Sequence, residues 1–242
     1  MNACGSWGTD GGGDSDLKIV AINGSLIPDG NVSAFLDHAL EEYDGDERFE
    51  VVRFDLAGLE IGPCRQCNWC FKKQEPGRLC QQEDGMAQIY PALLDAAGVI
   101  VASPVHFGRL SGTTADFIDR LRVFVHGNVS RGALRNKVGG ALAVAWFRNA
   151  GTELTLVTIN TAFQVLGMII APPDLGVLGG AAFSSLDGKG RTIRGDHHLV
   201  ATDTIGMASA RSVAYRVGEI ATLLEAGRIA LGGTVPPQKQ PE

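Results

Sequence analysis

No apolar stretch in the 242 residues reaches the ~18–20 residues of a transmembrane helix, so no membrane-spanning role is expected. Runs of Lys or Arg are missing too. With 21 basic against 27 acidic side chains, the formal charge is −6. A polyanion binder needs a basic face, so neither nucleic acid nor an anionic membrane is an expected partner. Residues 1–16 are Gly-rich and acidic, without the basic start or apolar run of a signal peptide, and a cytoplasmic location is expected. No internal repeat is visible. Cysteine is scarce at five residues, yet four of them fall between Cys64 and Cys80. That clustering favours metal or redox chemistry over a disulfide scaffold.

What is present reads as one globular domain: 45% hydrophobic and 20% charged residues, at a length common for α/β domains. Tails are expected at 1–16 and 227–242, around a domain at 17–226 with a cysteine-rich insertion at 61–82. Cys4, in the first tail, reads as an incidental thiol. Short apolar runs predict strands at 17–22, 49–56, 98–102, 138–146 and 167–171, the third stopped by Ser103-Pro104. Helical spacing predicts helices at 33–43, with Ser33 as N-cap, and at 86–97, 117–125, 152–166 and 213–224. Residues 174–203 read as Gly-rich and irregular. Strands alternating with helices imply a three-layer αβα sandwich around a five-stranded parallel sheet. In such a sheet ligands bind beyond the carboxyl ends of the strands.

Three strand-end loops carry suitable chemistry. The first, 23–33, holds glycines, hydroxyls and Asn31 and runs into a helix N-terminus, which makes it an anion site. It contains no Lys or Arg, so the Walker pattern is missing and nucleotide hydrolysis is disfavoured. Neutral donors suit a monophosphate. The second, Ser103-Pro104-Val105-His106-Phe107-Gly108, offers a wall for a planar ligand. The third runs from Trp146 and Phe147 through Arg148, Asn149 and Gly151 to Thr152. Together they suit a flat aromatic cofactor with a phosphate tail.

The ordered succession of Ile22-Asn23-Gly24-Ser25, Asn31-Val32-Ser33, Cys64-x2-Cys67-x2-Cys70 with Cys80, residues 84–97, 103–108 and Asp119-Arg120 resembles a known family. It is similar to the flavodoxin-like NADPH-dependent FMN reductases, closest to their iron–sulfur flavoprotein branch. The resemblance implies that Ser25, Asn31, Val32 and Ser33 bind the FMN phosphate. It implies that Pro104, Val105, His106 and Phe107 line the isoalloxazine ring, with Trp146, Phe147, Asn149 and Gly151 on another side. Many relatives have Tyr where His106 stands. The resemblance also implies a homo-oligomer, a dimer or tetramer.

Four thiolates can hold a [4Fe-4S] cluster, and the spacing of Cys64, Cys67 and Cys70 wraps three sulfurs around a tight loop. Cys80 follows after nine residues, a longer gap than the branch pattern of four to seven, so it is the least regular ligand. Lys72, Lys73 and Arg78 would offset the cluster's charge. Zinc, a disulfide or redox-active thiols are the competing readings. The pair His197-His198 reads as a solvated loop. The function expected is an FMN-dependent oxidoreductase, with NAD(P)H or a reduced redox protein as donor. A quinone, flavin or nitroaromatic compound is the expected acceptor. A non-catalytic electron-transfer flavoprotein and a cluster-free flavin reductase with redox-sensing cysteines are the alternatives.

Overall fold

The computed structural model describes residues 17–232, so the expected tail at 1–16, Cys4 included, and residues 233–242 of the tail expected at 227–242 lie outside the described residues, whereas 227–230 belong to the last helix, which runs to Ala230. Among the described residues the element order is β1 (Leu17–Asn23), α1 (Asn31–Leu40), β2 (Phe49–Asp55), α2 (Met86–Asp95), β3 (Gly98–His106) and β4 (Arg109–Leu110). Then follow α3 (Gly112–Arg120), α4 (Arg122–His126), β5 (Val138–Ala145), α5 (Thr152–Val165), β6 (Ile169–Ile170), β7 (Gly180–Phe183) and α6 (Thr204–Ala230). The main sheet runs β2-β1-β3-β5-β6 with every pairing parallel. This is the expected three-layer αβα sandwich.

Both sheet faces are covered, which is why the strands are continuous apolar runs and do not alternate. In β1, Val20 and Ile22 pack with Phe117, Ile89 and Phe163 on one side, while Ile19 and Ala21 pack with Phe35, Val213 and Val217 on the other. Fully burying a side chain such as Phe117 contributes about 1.5–3 kcal/mol. Two glycines in β5 set the thickness of the layers. A Cβ on Gly139 would come within 2.5 Å of the Phe163 ring on α5, and one on Gly140 within 2.7 Å of Val213 on α6.

Three departures from the sequence-based expectation have physical causes. β3 does not stop at Ser103-Pro104; both residues pair with β5 and the strand runs on to His106. β1 already ends opposite Ala102, so the missing N–H of Pro104 falls on an edge with no partner strand. The fifth strand position is shared. Beside β5, β6 covers Val138 and Gly139, the chain leaves through Pro172-Pro173, and β7 returns to cover Leu142–Ala145. The segment read as irregular therefore contains a strand. Finally, Ser33 does not cap α1. Gly30 occupies the N-cap with no side-chain hydrogen bond, and Ser33 lies inside the first turn. No helix among the described residues is long and apolar enough to cross a membrane.

Candidate functional site

The three strand-end loops meet. Gly24 N donates to Ala102 O at 2.8 Å, and Ser111 Oγ donates to Gly24 O at 2.9 Å, so the first loop is tied to the end of β3 and the start of α3. A buried hydroxyl cluster of Ser103, Ser111 and Thr114 holds this junction. β3 turns into β4 through Phe107 and Gly108, both with positive φ, a two-residue hairpin of the type that matches strand twist. Gly151, at φ 105°, is the N-cap of α5, and a Cβ there would stand 2.3 Å from Gly108 O. The second and third loops thus touch through backbone.

Within the first loop, the acceptor atoms of the polar side chains are already engaged. Ser25 Oγ accepts from Ile27 N at 3.0 Å, and Asn31 Oδ1 accepts from Val200 N at 2.8 Å. Among the described residues nothing takes the Ser25 hydroxyl proton or the Asn31 Nδ2 protons. The opening N–H groups of α1, those of Asn31, Val32 and Ser33, have no partner inside the helix and no side-chain cap. The arrangement is a set of neutral donors at a helix N-terminus, suited to an anion. The Val32 side chain faces the core and has only its backbone to offer. Ser33 Oγ accepts from Arg53 Nη2 of β2 at 2.7 Å, a cation that reading the loop alone cannot find. Arg53 is itself paired with Asp37 and Asp55, so its charge is spent locally.

The residues expected to line the ring fall into two groups. Pro104 and Val105 are half-buried, whereas His106, Trp146, Asn149 and, above all, Phe107 are exposed. Phe147 is exposed and its ring lies 6.1 Å from that of Trp146. A further wall comes from the hairpin after β7, where Lys189 bridges to Phe147 and Gly190 approaches Trp146. Arg148 stacks over Phe183 at 4.2 Å. His198 pairs with Asp29 at 2.9 Å and both are exposed, so the His pair belongs to the rim of the first loop.

The four clustered cysteines line one small enclosed cavity. It lies between the segment joining β2 to α2 and the junction of α3 with α4. Gln66 and Asn68 adopt left-handed backbone that turns the chain between the first three cysteines. The long gap before Cys80 folds back on itself: Glu75 and Arg78 bridge across Pro76-Gly77. Gln74, only 4% exposed, anchors the base of that turn. Its Nε2 donates to Leu79 O, Val123 O and Ser130 Oγ, and its Oε1 accepts from Val129 N and Ser130 N. The extra residues therefore form a hairpin that returns Cys80 to the other three.

Burial pushes the Cys70 thiol up, Arg122 opposes this, and Cys80 and Cys64 push it further, so three of the sulfurs are within charge reach of one another. Arg120 and Arg122 also line the cavity, and the buried Nε of each has no hydrogen-bond partner. These are the cations that face the sulfurs. Lys72, Lys73 and Arg78, expected in that role, are exposed, and Arg78 pairs with Glu83. Among the described residues no three Cys, His, Asp or Glu side chains are gathered tightly enough for a single metal ion. A cubane, which spreads its four ligands over four corners, needs no such tight gathering. Four thiols around one cavity, with two unsatisfied guanidinium N–H groups, fit a multi-iron anionic cluster better than zinc.

Comparison with known proteins points the same way as the loops. Residues 17–182 match the family described as NADPH-dependent FMN reductase. An iron–sulfur flavoprotein of Methanocaldococcus jannaschii is 34% identical over 86% of this chain and 100% of its own length. An NAD(P)H dehydrogenase (quinone) of Afipia carboxidovorans is 31% identical over 53% of this chain and 65% of its own. The crystal structure of a flavodoxin, WrbA-like protein from Agrobacterium tumefaciens superposes with a TM-score of 0.55 at 15% identity, covering 86% of this chain and 99% of that one, which shows the fold. Glycine-bearing strand ends, an uncapped α1 and a match spanning most of the sheet lead to one placement: the chain belongs to the NADPH-dependent FMN reductase family, with iron–sulfur flavoproteins among its relatives.

Proposed function

We propose that this protein is an FMN-dependent oxidoreductase carrying a [4Fe-4S] cluster on Cys64, Cys67, Cys70 and Cys80. It passes electrons from NAD(P)H or a reduced redox protein to a quinone, flavin, nitroaromatic or similar acceptor. The observation that carries the reading is the convergence of four cysteines, separated by a nine-residue hairpin, on one cavity faced by two arginines. FMN supplies hydride and electron chemistry that no side chain here offers, and a cluster supplies single-electron storage.

The protein's own residues bind and orient. Ser25 and Asn31 are positioned as donors because their acceptor atoms are already occupied. The first-turn N–H groups of α1 and the positive end of its dipole add to them. Val200, held by Asn31, brings the segment before α6 against the phosphate loop. On the ring side, the hairpin at Phe107-Gly108 and the turn at Gly151 approach closely through backbone, so a side chain at Gly151 would have to displace one of them. Trp146 and Phe147 offer exposed apolar surface at one edge, which a bound ring would cover. The exposed aromatic groups at Phe107 and Trp146 support a homo-oligomer in which a second copy covers this edge.

The phosphate assignment has a direct test. Ser25→Ala and Asn31→Ala should each weaken FMN by about 1.5–3 kcal/mol, the worth of a charge-assisted hydrogen bond, and leave riboflavin affinity nearly unchanged. Fluorescence titration of the apoprotein with both flavins reads the difference. Equal losses for the two would mean that these side chains act through loop folding and not on phosphate.

A further inference from the structure

We propose that Arg120 is a positioning residue for the cysteine cavity: it holds Cys80 as the fourth ligand and raises the reduction potential at that corner. This rests on the cluster reading above. Arg120 is 1% exposed, whereas its neighbour Asp119 is exposed, so the two halves of the dipeptide do different things. The Arg120 guanidinium is gripped on one side. Its Nη1 donates to Asp84 Oδ2 at 2.5 Å and to Gly62 O at 2.9 Å, and its Nη2 donates to Asp84 Oδ1 at 3.1 Å. On the other side Nη2 lies 3.5 Å from Cys80 Sγ, and Nε has no partner.

A single carboxylate balances the charge but does not use all five N–H donors. Of the donors left over, one on Nη2 reaches the Cys80 sulfur and the buried Nε has no partner. The cavity holds other cations, but among the described residues only Arg120 has a side-chain hydrogen bond to a cysteine sulfur. The sulfur it reaches belongs to the cysteine whose spacing is least regular. Gln74 anchors the start of the nine-residue turn, and Arg120 meets its end. Asp84 gains too: burial alone would push its carboxyl up, yet the Arg120 hydrogen bonds hold it below the usual carboxylate range. An N–H donor and a fixed positive charge beside a ligand sulfur favour the more reduced, more negative state of a cluster. Their removal shifts the midpoint potential to more negative values.

The test uses the full chain, reconstituted anaerobically with iron, sulfide and FMN, as wild type, Arg120→Lys, Arg120→Gln and Cys80→Ala. Iron content, low-temperature electron paramagnetic resonance and a spectroelectrochemical midpoint are read, with FMN content and Tm as controls for folding. In Arg120→Lys, iron should fall from about four toward about three per chain, as in Cys80→Ala, with FMN retained. The four-iron fraction that remains should have a more negative midpoint, and Arg120→Gln should move it further. Arg120→Lys and Arg120→Gln variants that lose Tm but keep wild-type iron and midpoint would overturn the proposal, leaving a merely structural Asp84–Arg120 pair. If the Arg120 variants fail to fold, Asp84→Asn, which loosens the guanidinium but also removes a negative charge, is read by iron content, and iron unchanged from wild type overturns it. A wild type that takes up no iron would overturn both this proposal and the cluster reading, whereas normal iron uptake with an indifferent Arg120 would overturn this one alone.

Discussion

Replacing Cys64, Cys67 or Cys70 by Ala is expected to abolish iron uptake while FMN stays bound. The three sulfurs sit on one tight loop, bent by left-handed backbone at Gln66 and Asn68, and each faces the same cavity. Loss of one removes one of the four thiols that line the cavity. FMN binding should survive because the loops proposed to hold the flavin hang on the ends of β1, β3 and β5, whereas the cysteine cavity is built from the β2–α2 segment and the α3–α4 junction. Iron and flavin assays on the same anaerobic sample check this. Loss of both cofactors together would mean that the cysteines serve folding of the whole domain. Cys80→Ala should be milder, with partial iron retained.

The second large effect is expected at Gly151. Its φ of 105° already disfavours any side chain, and a Cβ would collide with Gly108 O, a backbone atom that cannot rotate away. Gly151→Ala must therefore push the turn before α5 off the hairpin at Phe107-Gly108. Left-handed backbone costs a non-glycine residue about 1–2 kcal/mol before the collision is counted. A total of about 2 kcal/mol or more corresponds to about a 30-fold loss of flavin affinity if it falls on the bound form. Because the ring side is disturbed, FMN and riboflavin should weaken together, the opposite pattern from Ser25→Ala and Asn31→Ala. Wild-type affinity for both flavins in Gly151→Ala would show that the two loops do not need to touch.

How far the sequence reaches can be judged from particular residues. Strand order and layers follow from apolar runs such as Leu17–Asn23, because a parallel sheet buries both faces and writes that burial directly into composition. That the four clustered cysteines line one cavity is also foreshadowed, since they lie close in sequence. What is not legible is long-range. Arg53 reaches Ser33 from 20 residues away, and Arg120 reaches Cys80 from 40. Neither contact leaves a local pattern. The Asp119-Arg120 dipeptide stands out in the sequence, but its partner sulfur is set by how α3 packs. β7 escapes notice because Gly180–Phe183 is short and small, and its pairing depends on β5 being left uncovered after Pro172-Pro173. Ser33 misleads because a Ser before a helical stripe reads as a cap, while Gly30 starts the helix earlier and leaves its N–H groups open.

The central claim is that one chain holds a flavin at the sheet edge and an iron–sulfur cluster in the cysteine cavity. The most direct measurement is an anaerobic visible spectrum of the reconstituted full-length protein, with flavin, iron and sulfide assayed on the same sample, before and after NADPH is added. The account predicts about one FMN and about four iron and four sulfide per chain, a broad cluster absorption beneath the flavin peaks, and bleaching of the flavin bands by NADPH. A protein that holds FMN and bleaches with NADPH yet takes up no iron would contradict it, and would leave a flavin reductase whose cysteines have another use.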